Sequence, residues 1–421
     1  MINIVASRTD GFGQRLKVIL SAMQIAECYG MRMNFVWNEK SGEHGKYHAC
    51  EPVLEIFSDR FVKEHFVKEK IDGPKFQLNQ KYEKSAASFV VLDRFYNIGS
   101  PSFGKLFHSI DFSDKINNAI RKAQSVSLVN ASALHLRGGD ILYGPLRKYS
   151  VIHQGKIIPL PVAKKMVASS LEKKWIVFAQ DESIQEEFRC NNNTLVSSSF
   201  HEGLSSNAEK FIFDVILMSR CENIFGGSSG VCDVAAMLSG LNVNFIDEFF
   251  SNQEIVEIIK SDPKFLSQNY DSFIMAQLNS TIYSYTKDKV ERRLCIEKAL
   301  SFDADNNGLL FLRDLACIDV GDFSAANNYM EEKVRWSIEA LERNKLKTYM
   351  KDIQAFASRP SILRKVLSTK LLHSWSWGEY LFLDMLFASI LYYQGVSEFL
   401  FKLQNDLRTN DFRYFFEIIK G

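Results

Sequence analysis

The stretch ALHLRGGD, residues 133–140, decides the fold class of this chain. It predicts a short buried strand that releases a His, an Arg and an Asp at its carboxyl end. A second stretch, DVILMSRCENIFGGSSGVCD at residues 214–233, predicts a helix, a strand and a Gly/Ser turn that opens another helix. Because ligands of open α/β sheets bind beyond the carboxyl ends of the strands, both stretches place polar groups where a ligand would lie.

The residues in these two turns suit a phosphate. A Ser-Ser-Gly turn at 228–230 offers free backbone N–H groups, hydroxyls and the positive end of a helix dipole. The guanidinium of Arg137, on a neighbouring strand, can hold the same phosphate through two parallel hydrogen bonds. The sequence therefore predicts a diphosphate site of the kind that binds a nucleotide-sugar.

Flanking patterns extend the α/β prediction in both directions. Residues 2–6 predict a strand, residues 14–29 a helix that Gly30 ends, and residues 33–37 a second strand. This βαβ unit predicts a Rossmann-like half over residues 1–126. A further set of strands marks a second half over residues 127–250, with strands predicted at 133–136, 175–179, 194–197, 223–225 and 242–246.

After residue 250 the strand patterns stop, and residues 251–421 are predicted to be helical. Ala299, Gly321, Phe323 and Ala326 have the spacing of one tetratricopeptide-like repeat. Between residues 333 and 370, ten Lys/Arg face three Asp/Glu. This excess indicates either a solvated helix face or a surface that meets anionic lipid headgroups or an acidic polysaccharide.

One acidic stretch of the helical region, Asp303 to Asp314, matches the EF-hand calcium template, with Asp where the template has its last Glu. The same residues fit a turn between helical repeats, so both interpretations stay open.

Composition narrows the class of protein. The chain has 421 residues and a net charge of +1, which gives no general attraction to nucleic acid or to membranes. Its seven cysteines are scattered without a Cys-x-x-Cys pair, which argues against a disulfide framework or a zinc site. The opening residues show no signal peptide, and the longest apolar stretch, residues 380–393, is too short to span a bilayer. We therefore expect a cytoplasmic protein.

Four motifs resemble those of the α-1,6/α-1,2-fucosyltransferase and protein O-fucosyltransferase superfamily, which includes core α-1,6-fucosyltransferases and rhizobial nodulation fucosyltransferases. They are GFGQRL at 11–16, the His-x-Arg-x-x-Asp of 135–140, WIVFAQDE at 175–182, and the Asp-led helix with Ser-Ser-x-Val-Cys at 214–232. The resemblance implies a GT-B glycosyltransferase, in which two Rossmann-like domains face a cleft.

The resemblance also implies a role for each matching residue. His135 and Asp214 would contact guanine, and Arg137 would bind the β-phosphate beside Ser228 and Ser229. Asp140 would buttress the loop and Asp181 would lie near the nucleotide or sugar, while Gly11 and Gly13 would close on the sugar-phosphate side, with Arg15 adding charge there.

Ordinary structural roles compete with these assignments. His135 could be a buried strand-end residue bonded to a backbone carbonyl. Asp214, Ser228 and Ser229 could cap helices, because the predicted helices begin at these residues. Arg15 could be a solvated residue in the first turn of its helix.

The chain departs from the family pattern at three positions. Gly138 stands where close relatives carry a second Arg, Ile141 where core fucosyltransferases have Lys, and Pro145 where they have a catalytic Glu. Either another base activates the acceptor, or the reaction is dissociative enough to need little base help. The base candidates are Asp10, Glu39, Glu43, His44 and His153.

The motifs and the resemblance together imply an inverting, metal-independent glycosyltransferase that needs no cofactor. Its expected donor is GDP-fucose or a related GDP-sugar, and its expected acceptor is a hydroxyl of a surface glycan, such as O-antigen or capsule. Two alternatives stay open. One is a GT-B transferase with another nucleotide-sugar. The other is a non-catalytic scaffold whose helical region binds protein partners.

Overall fold

The computed structural model describes residues 2–8, 11–37, 51–68, 88–91, 101–144, 147, 156–170, 172–189, 191–320, 322 and 325. These residues fall into two compact units. The first, called the α/β unit here, comprises Met1–Asp140 and Gly155–Phe250. The second, called the helical unit, comprises Ile141–Gln154 and Ser251–Gly421.

The first sheet of the α/β unit is parallel, with strand order β2-β1-β3. Its strands are β1 (Asn3–Ala6), β2 (Arg32–Phe35) and β3 (Ser88–Val91). Helix α1 (Phe12–Tyr29) connects β1 to β2 and ends where Gly30 adopts a left-handed φ of 63°. This is the predicted βαβ unit.

The second sheet is also parallel, with strand order β6-β5-β4-β7-β8. These strands are β4 (Ala131–Leu136), β5 (Lys174–Ala179), β6 (Thr194–Val196), β7 (Asn223–Gly226) and β8 (Val243–Asn244). The chain moves outward from β4 to β6 and then crosses back to β7. The topological switch point therefore lies between β4 and β7, where ligands of doubly wound sheets bind.

Helices cover both sheets. Those before β5 are α2 (Val53–Ile56), α3 (Asp59–His65), α4 (Phe103–Ser109), α5 (Asp114–Ser125), α6 (Gly139–Leu142) and α7 (Leu160–Ala168). Those after β5 in the α/β unit are α8 (Glu182–Arg189), α9 (Asn207–Ser219) and α10 (Gly230–Ser239). Two parallel sheets flanked by helices confirm the predicted α/β class.

A single hydrophobic core joins the two sheets of the α/β unit. It includes Ile4 and Leu16 from the first half and Ala133, Phe213 and Ile224 from the second, each fully buried. Helix α1 packs against α10, and α5 packs against α9. The boundary predicted at residue 126 stays a prediction, because the two halves pack as one compact unit.

The described part of the helical unit beyond residue 250 is helical, as predicted. It contains α11 (Asn252–Ser261), α12 (Pro263–Leu266), α13 (Ser272–Tyr285), α14 (Lys289–Phe302) and α15 (Asn307–Asp319). The repeat prediction cannot be followed there, because Gly321, Phe323 and Ala326 lie outside the described residues, as does the basic stretch 333–370.

The structure argues against the EF-hand interpretation. Helix α14 ends at Phe302 and α15 begins at Asn307, which leaves four residues where an EF-hand has a loop of about 12. The carboxylate of Asp303 accepts hydrogen bonds from Arg147 and Asn306, and that of Asp314 accepts from Arg313. These carboxylates serve ion pairs within the helical unit.

No helix in the described ranges is both long and apolar enough to cross a membrane.

Candidate functional site

Arg137, the Arg predicted to bind phosphate, lies at the end of strand β4, which borders the switch point. All six β4 residues are buried, and Arg137 follows at the carboxyl end. The guanidinium Nη2 of Arg137 lies 3.5 Å from Oδ1 of Asp140, which is 8% exposed in the first turn of α6. Asp140 thus forms an ion pair with Arg137, and its role in buttressing the loop stays a prediction.

Asp181, beyond the end of β5, fastens the turn that follows Arg137. Its Oδ2 accepts a 2.7 Å hydrogen bond from the backbone N–H of Gly139. A Cβ at Gly138 would lie 2.0 Å from the same oxygen. The turn can approach the carboxylate this closely only because residue 138 has no side chain. This contact gives a physical reason for Gly138 in place of a second Arg.

His135 is a buried, neutral imidazole at the end of β4. It lies opposite Phe178 of β5 and Gly226 of β7 in the sheet register. Burial, with a further contribution from the charge of Arg137, lowers the pKa of His135 to about 3. Its Nδ1 is buried and has no hydrogen-bond partner in the structure as described. The alternative of a histidine bonded to a backbone carbonyl through Nδ1 is therefore not seen.

The Gly/Ser turn after β7 opens α10 as predicted. Ser229 is the N-cap of α10, and its Oγ accepts a 3.3 Å hydrogen bond from the N–H of Val231. Ser228 is exposed. Parallel strands lie about 4.8 Å apart, and His135 pairs with Gly226, so the residues that leave β4 and β7 emerge side by side.

Cys232, in the first turn of α10, lies near the carboxyl end of β4, because a Cβ at Gly226 would lie 2.6 Å from its Sγ and 3.4 Å from Cβ of His135. Burial and the charge of Asp233 raise the pKa of the Cys232 thiol above its usual range, while the Arg137 guanidinium opposes that rise.

The N-terminus of helix α1 lies against the N-terminus of α10. Gly11 caps α1 without a side-chain hydrogen bond. A Cβ at Gly13 would lie 2.6 Å from the carbonyl carbon of Gly230, so the two helix starts touch through their backbones. An ion pair of 3.1 Å between Lys17 and Asp233 joins the two helices one turn further on. The N-termini of α1 and α10 thus lie against each other, at the side of the sheet where β7 ends.

Arg15 is not the solvated residue that one interpretation of the sequence expected. It is 1% exposed, and its guanidinium lies 4.8 Å from the centre of the Trp37 ring. Phe12 meets the same ring edge to face at 5.3 Å. Its burial makes Arg15 part of the packing beneath the start of α1, and its role towards a donor stays a prediction.

The predicted position of Asp214 at a helix start is wrong. Helix α9 begins after Ser206, which forms a capping box with Glu209, and Asp214 lies in the middle of the helix. There its Oδ1 lies 2.8 Å from Nε2 of His201. His201 was not selected from the sequence, although the Ser-x-x-Glu pattern at 206–209 marks the true start of α9. Because Asp214 lies in the middle of the helix, it does not cap a helix, and the capping role that competed with guanine binding is excluded.

The base candidates Asp10, Glu39, Glu43, His44 and His153 lie outside the described residues. One carboxylate that sequence reasoning did not select is Glu51, whose Oε1 accepts a 2.8 Å hydrogen bond from the N–H of Ala208 at the start of α9. No group of three or more His, Cys, Asp or Glu side chains among the described residues is placed to hold a metal ion.

No family model and no curated protein matches the chain significantly. Among solved structures, it is similar to fucosyltransferase NodZ from Bradyrhizobium, with 14% identity and a TM-score of 0.37 over 56% of this chain and 93% of that one. NodZ α-1,6-fucosyltransferase co-crystallised with GDP overlaps with the same identity and TM-score over 56% and 92%. POFUT1 in complex with GDP overlaps with 9% identity and a TM-score of 0.32 over 58% and 98%. Structural similarities with TM-scores this low do not establish the function of the chain. The function proposed below therefore rests on the geometry of the chain's own residues.

Proposed function

We propose that this chain is a glycosyltransferase that takes its sugar from a nucleoside diphosphate sugar. The observation that carries the proposal is the contact between two helix N-termini, at Gly13 of α1 and Gly230 of α10, together with Arg137 at the end of β4, the strand beside β7 at the switch point. Free N–H groups at a helix start bind phosphate, and a guanidinium adds two parallel hydrogen bonds. Both helix starts and Arg137 would together supply the hydrogen-bond donors that a diphosphate needs.

The same groups suit the chemistry of glycosyl transfer. As the bond between the anomeric carbon and the phosphate oxygen breaks, negative charge grows on the departing diphosphate. Arg137 is oriented by Asp140 before the reaction, so it stabilises that charge without reorganisation. Loss of one such donor typically lowers the rate by a factor of about 10²–10³. Because these groups already supply positive charge, we propose that no metal or other cofactor is required.

Guanine and fucose are the finer part of the proposal. The motif resemblance assigns His135 and Asp214 to the base, and a carboxylate suits guanine because that base presents N1–H and N2–H donors. His135 is neutral and buried at the site, and Asp214 carries an acceptor in mid-helix. We therefore propose GDP-fucose as donor and a hydroxyl of a surface glycan as acceptor, with inversion at the anomeric carbon.

The chain's surroundings are part of the proposal as well. A cytoplasmic enzyme that acts on a lipid-linked glycan would work at the membrane surface, and the basic stretch 333–370 would favour that location.

Calorimetry of GDP, UDP and CMP binding, first with EDTA and then with Mg²⁺, tests the donor class. We expect selective GDP binding that does not change with metal, and a loss of about tenfold or more in GDP affinity for Arg137→Ala. Arg189→Ala is the matched control, because Arg189 lies on α8 and pairs with Glu186 on the same helix. Failure to bind any nucleotide would contradict the proposal, and a preference for UDP would contradict guanine recognition.

A further inference from the structure

The side chain of His201 is held against Asp214 within the α/β unit. His201 follows the short 3₁₀ helix Ser197–Phe200 beyond the carboxyl end of β6, and its Nε2 lies 2.8 Å from Oδ1 of Asp214. The His201 ring also meets the ring of Phe213, a fully buried residue of α9, edge to face with centroids 5.4 Å apart. The His201 and Asp214 side chains are 16% and 22% exposed, so both are largely removed from water. His201 is therefore held by an aromatic neighbour and by a carboxylate.

This pairing fixes the orientation of the Asp214 carboxylate. An ionised carboxylate only accepts hydrogen bonds, so Nε2 of His201 carries the proton and donates to Oδ1. The hydrogen bond restricts the rotation of the carboxylate about its last side-chain bond. Oδ2 has no partner among the described residues, and Oδ1 keeps a second lone pair. The carboxylate therefore offers both oxygens, in a fixed plane, to a further group.

The same side of the second sheet carries another polar atom without a partner. Ala133 and His135 point to one face of β4 and Leu134 to the other, because side chains alternate along a strand. Ala133 belongs to the hydrophobic core that includes Phe213 of α9. His135 therefore faces the side of the sheet on which α9 packs, and its buried Nδ1 has no hydrogen-bond partner in the described part of the chain. The unpartnered nitrogen and the helix that carries Asp214 thus lie on one side of the sheet.

Helix α9 also contacts the start of α1. Phe211, three residues before Asp214 and near the same face of α9, stacks on Phe12 with ring centroids 4.7 Å apart. Phe12 begins α1, and the next residue, Gly13, approaches the backbone of Gly230 at the start of α10. These contacts connect the face of α9 that carries Asp214 with the two helix starts of the proposed diphosphate site.

We propose that His201 determines specificity as a positioning residue: its Nε2–H holds the Asp214 carboxylate in the orientation that guanine recognition requires. The inference rests on the proposed function and deepens its choice of base. Guanine presents N1–H and N2–H donors side by side on one edge, so an acceptor must offer two lone pairs in the plane of the base. A carboxylate that is already fixed meets this demand without loss of side-chain freedom on binding. His201 acts through Asp214 and does not itself contact the base.

Two substitutions separate the hydrogen bond of His201 from its packing. His201→Phe keeps a ring against Phe213 but removes the N–H donor, whereas His201→Gln keeps an N–H donor for the carboxylate. His65→Phe is the matched control, because Nδ1 of His65 lies 2.9 Å from the carbonyl oxygen of Met33 and its ring lies 4.7 Å from that of Phe61. This control also removes a hydrogen bond and keeps a ring contact, but in the first half of the α/β unit.

Calorimetric affinities of the full-length chain for GDP and IDP are the readout, because IDP lacks the 2-amino group of guanine. We expect the wild type to prefer GDP by about tenfold or more. The preference should fall to about threefold or less in His201→Phe and stay within about twofold of wild type in His201→Gln and His65→Phe. In an Asp214→Ala background, His201→Phe should not change the preference further, since His201 acts through that carboxylate. Thermal unfolding of each variant shows how far the change acts on folding alone.

The outcomes separate the inference from the proposed function. Wild-type preference for GDP over IDP in His201→Phe would overturn the inference and leave the proposed function standing, as would equal affinity of the wild type for GDP and IDP. A further fall in preference in the Asp214→Ala background would show that His201 contacts the base directly, and would overturn the positioning role. Failure of the wild type to bind any nucleoside diphosphate would overturn the proposed function, and the inference with it.

Discussion

Gly138 offers a sharp test of how the diphosphate site is built. In Gly138→Ala, the new Cβ would lie 2.0 Å from Oδ2 of Asp181, where ordinary contact begins at 3.4 Å. The carboxylate must therefore retreat by about 1.4 Å. That movement breaks its 2.7 Å hydrogen bond with the N–H of Gly139.

The expected cost follows from this contact. A hydrogen bond to a charged group contributes about 1.5–3 kcal/mol, and the new methyl group also crowds Cδ1 of Ile184 at 3.1 Å. Against this, replacing Gly by Ala stabilises by about 0.4–1 kcal/mol through the unfolded chain. Gly138 is not among the residues with positive φ, so no backbone strain is added. We expect a net destabilisation of about 1–2 kcal/mol.

Scanning calorimetry of the full-length chain measures this change, as a fall of about 2–4 °C for each kcal/mol in the Tm of the α/β unit that contains Gly138. Gly138→Arg, which restores the second Arg of the resembling family, should cost at least as much and should weaken GDP binding. The decisive control is Gly138→Ala in an Asp181→Ala background. There the clashing carboxylate is absent, so the substitution should be neutral or stabilising by about 0.4–1 kcal/mol. Equal destabilisation in both backgrounds would refute the reasoning.

Three further changes test other parts of the site. The pKa of His135 is about 3 in the folded chain and 6.5 in the unfolded chain, so the unfolded chain binds an extra proton between these pH values and the free energy of unfolding falls as pH falls below 6.5. Urea titrations at several pH values should show a shallower fall in His135→Asn. An unchanged dependence of the free energy of unfolding on pH would contradict the burial argument. Gly13→Ala forces a Cβ to within 2.6 Å of the backbone of Gly230, so it should separate the two helix starts. We expect a lower Tm and GDP binding weakened about tenfold or more, both measured by calorimetry. Wild-type GDP affinity would show that the two helix starts do not act together. If the carboxylate of Asp214 accepts a hydrogen bond from the N2 amino group of guanine, Asp214→Ala should remove the preference for GDP over IDP, which lacks that amino group. A preserved ratio of GDP to IDP affinity would contradict this role and leave Asp214 only its hydrogen bond with His201.

Local patterns in the sequence predicted much of this architecture. The strands of the second sheet are short apolar runs whose polar followers, such as Arg137 and Ser228, mark the carboxyl ends. The Gly/Ser turn identified the start of α10 because Ser is a favoured N-cap. The prediction for Asp214 is wrong because an acidic residue before an apolar run also resembles a helix start, whereas the capping box of Ser206 and Glu209 marks the real one.

The remaining features depend on contacts that no local pattern contains. Arg147 and Asp303 are separated by 156 positions, and neither the acidic stretch nor the Arg indicates the other. The backbone contact between Gly13 and Gly230 likewise joins two distant turns, each of which is a weak glycine motif alone. Burial of Arg15 could not be predicted either, since its position in the first turn of a helix favours solvent.

Backbone groups and side chains have different roles in the proposed site, and these roles follow from their chemistry. The proposed diphosphate site is lined largely by backbone, because Gly13, Gly138 and Gly230 approach atoms of other segments more closely than any Cβ allows. Backbone N–H groups bind phosphate but cannot distinguish one nucleoside diphosphate from another. Selection of the base must therefore fall to side chains such as His135 and Asp214. Substitutions at the glycines should thus weaken GDP, UDP and IDP alike, whereas substitutions at His135 or Asp214 should change the ratios between them.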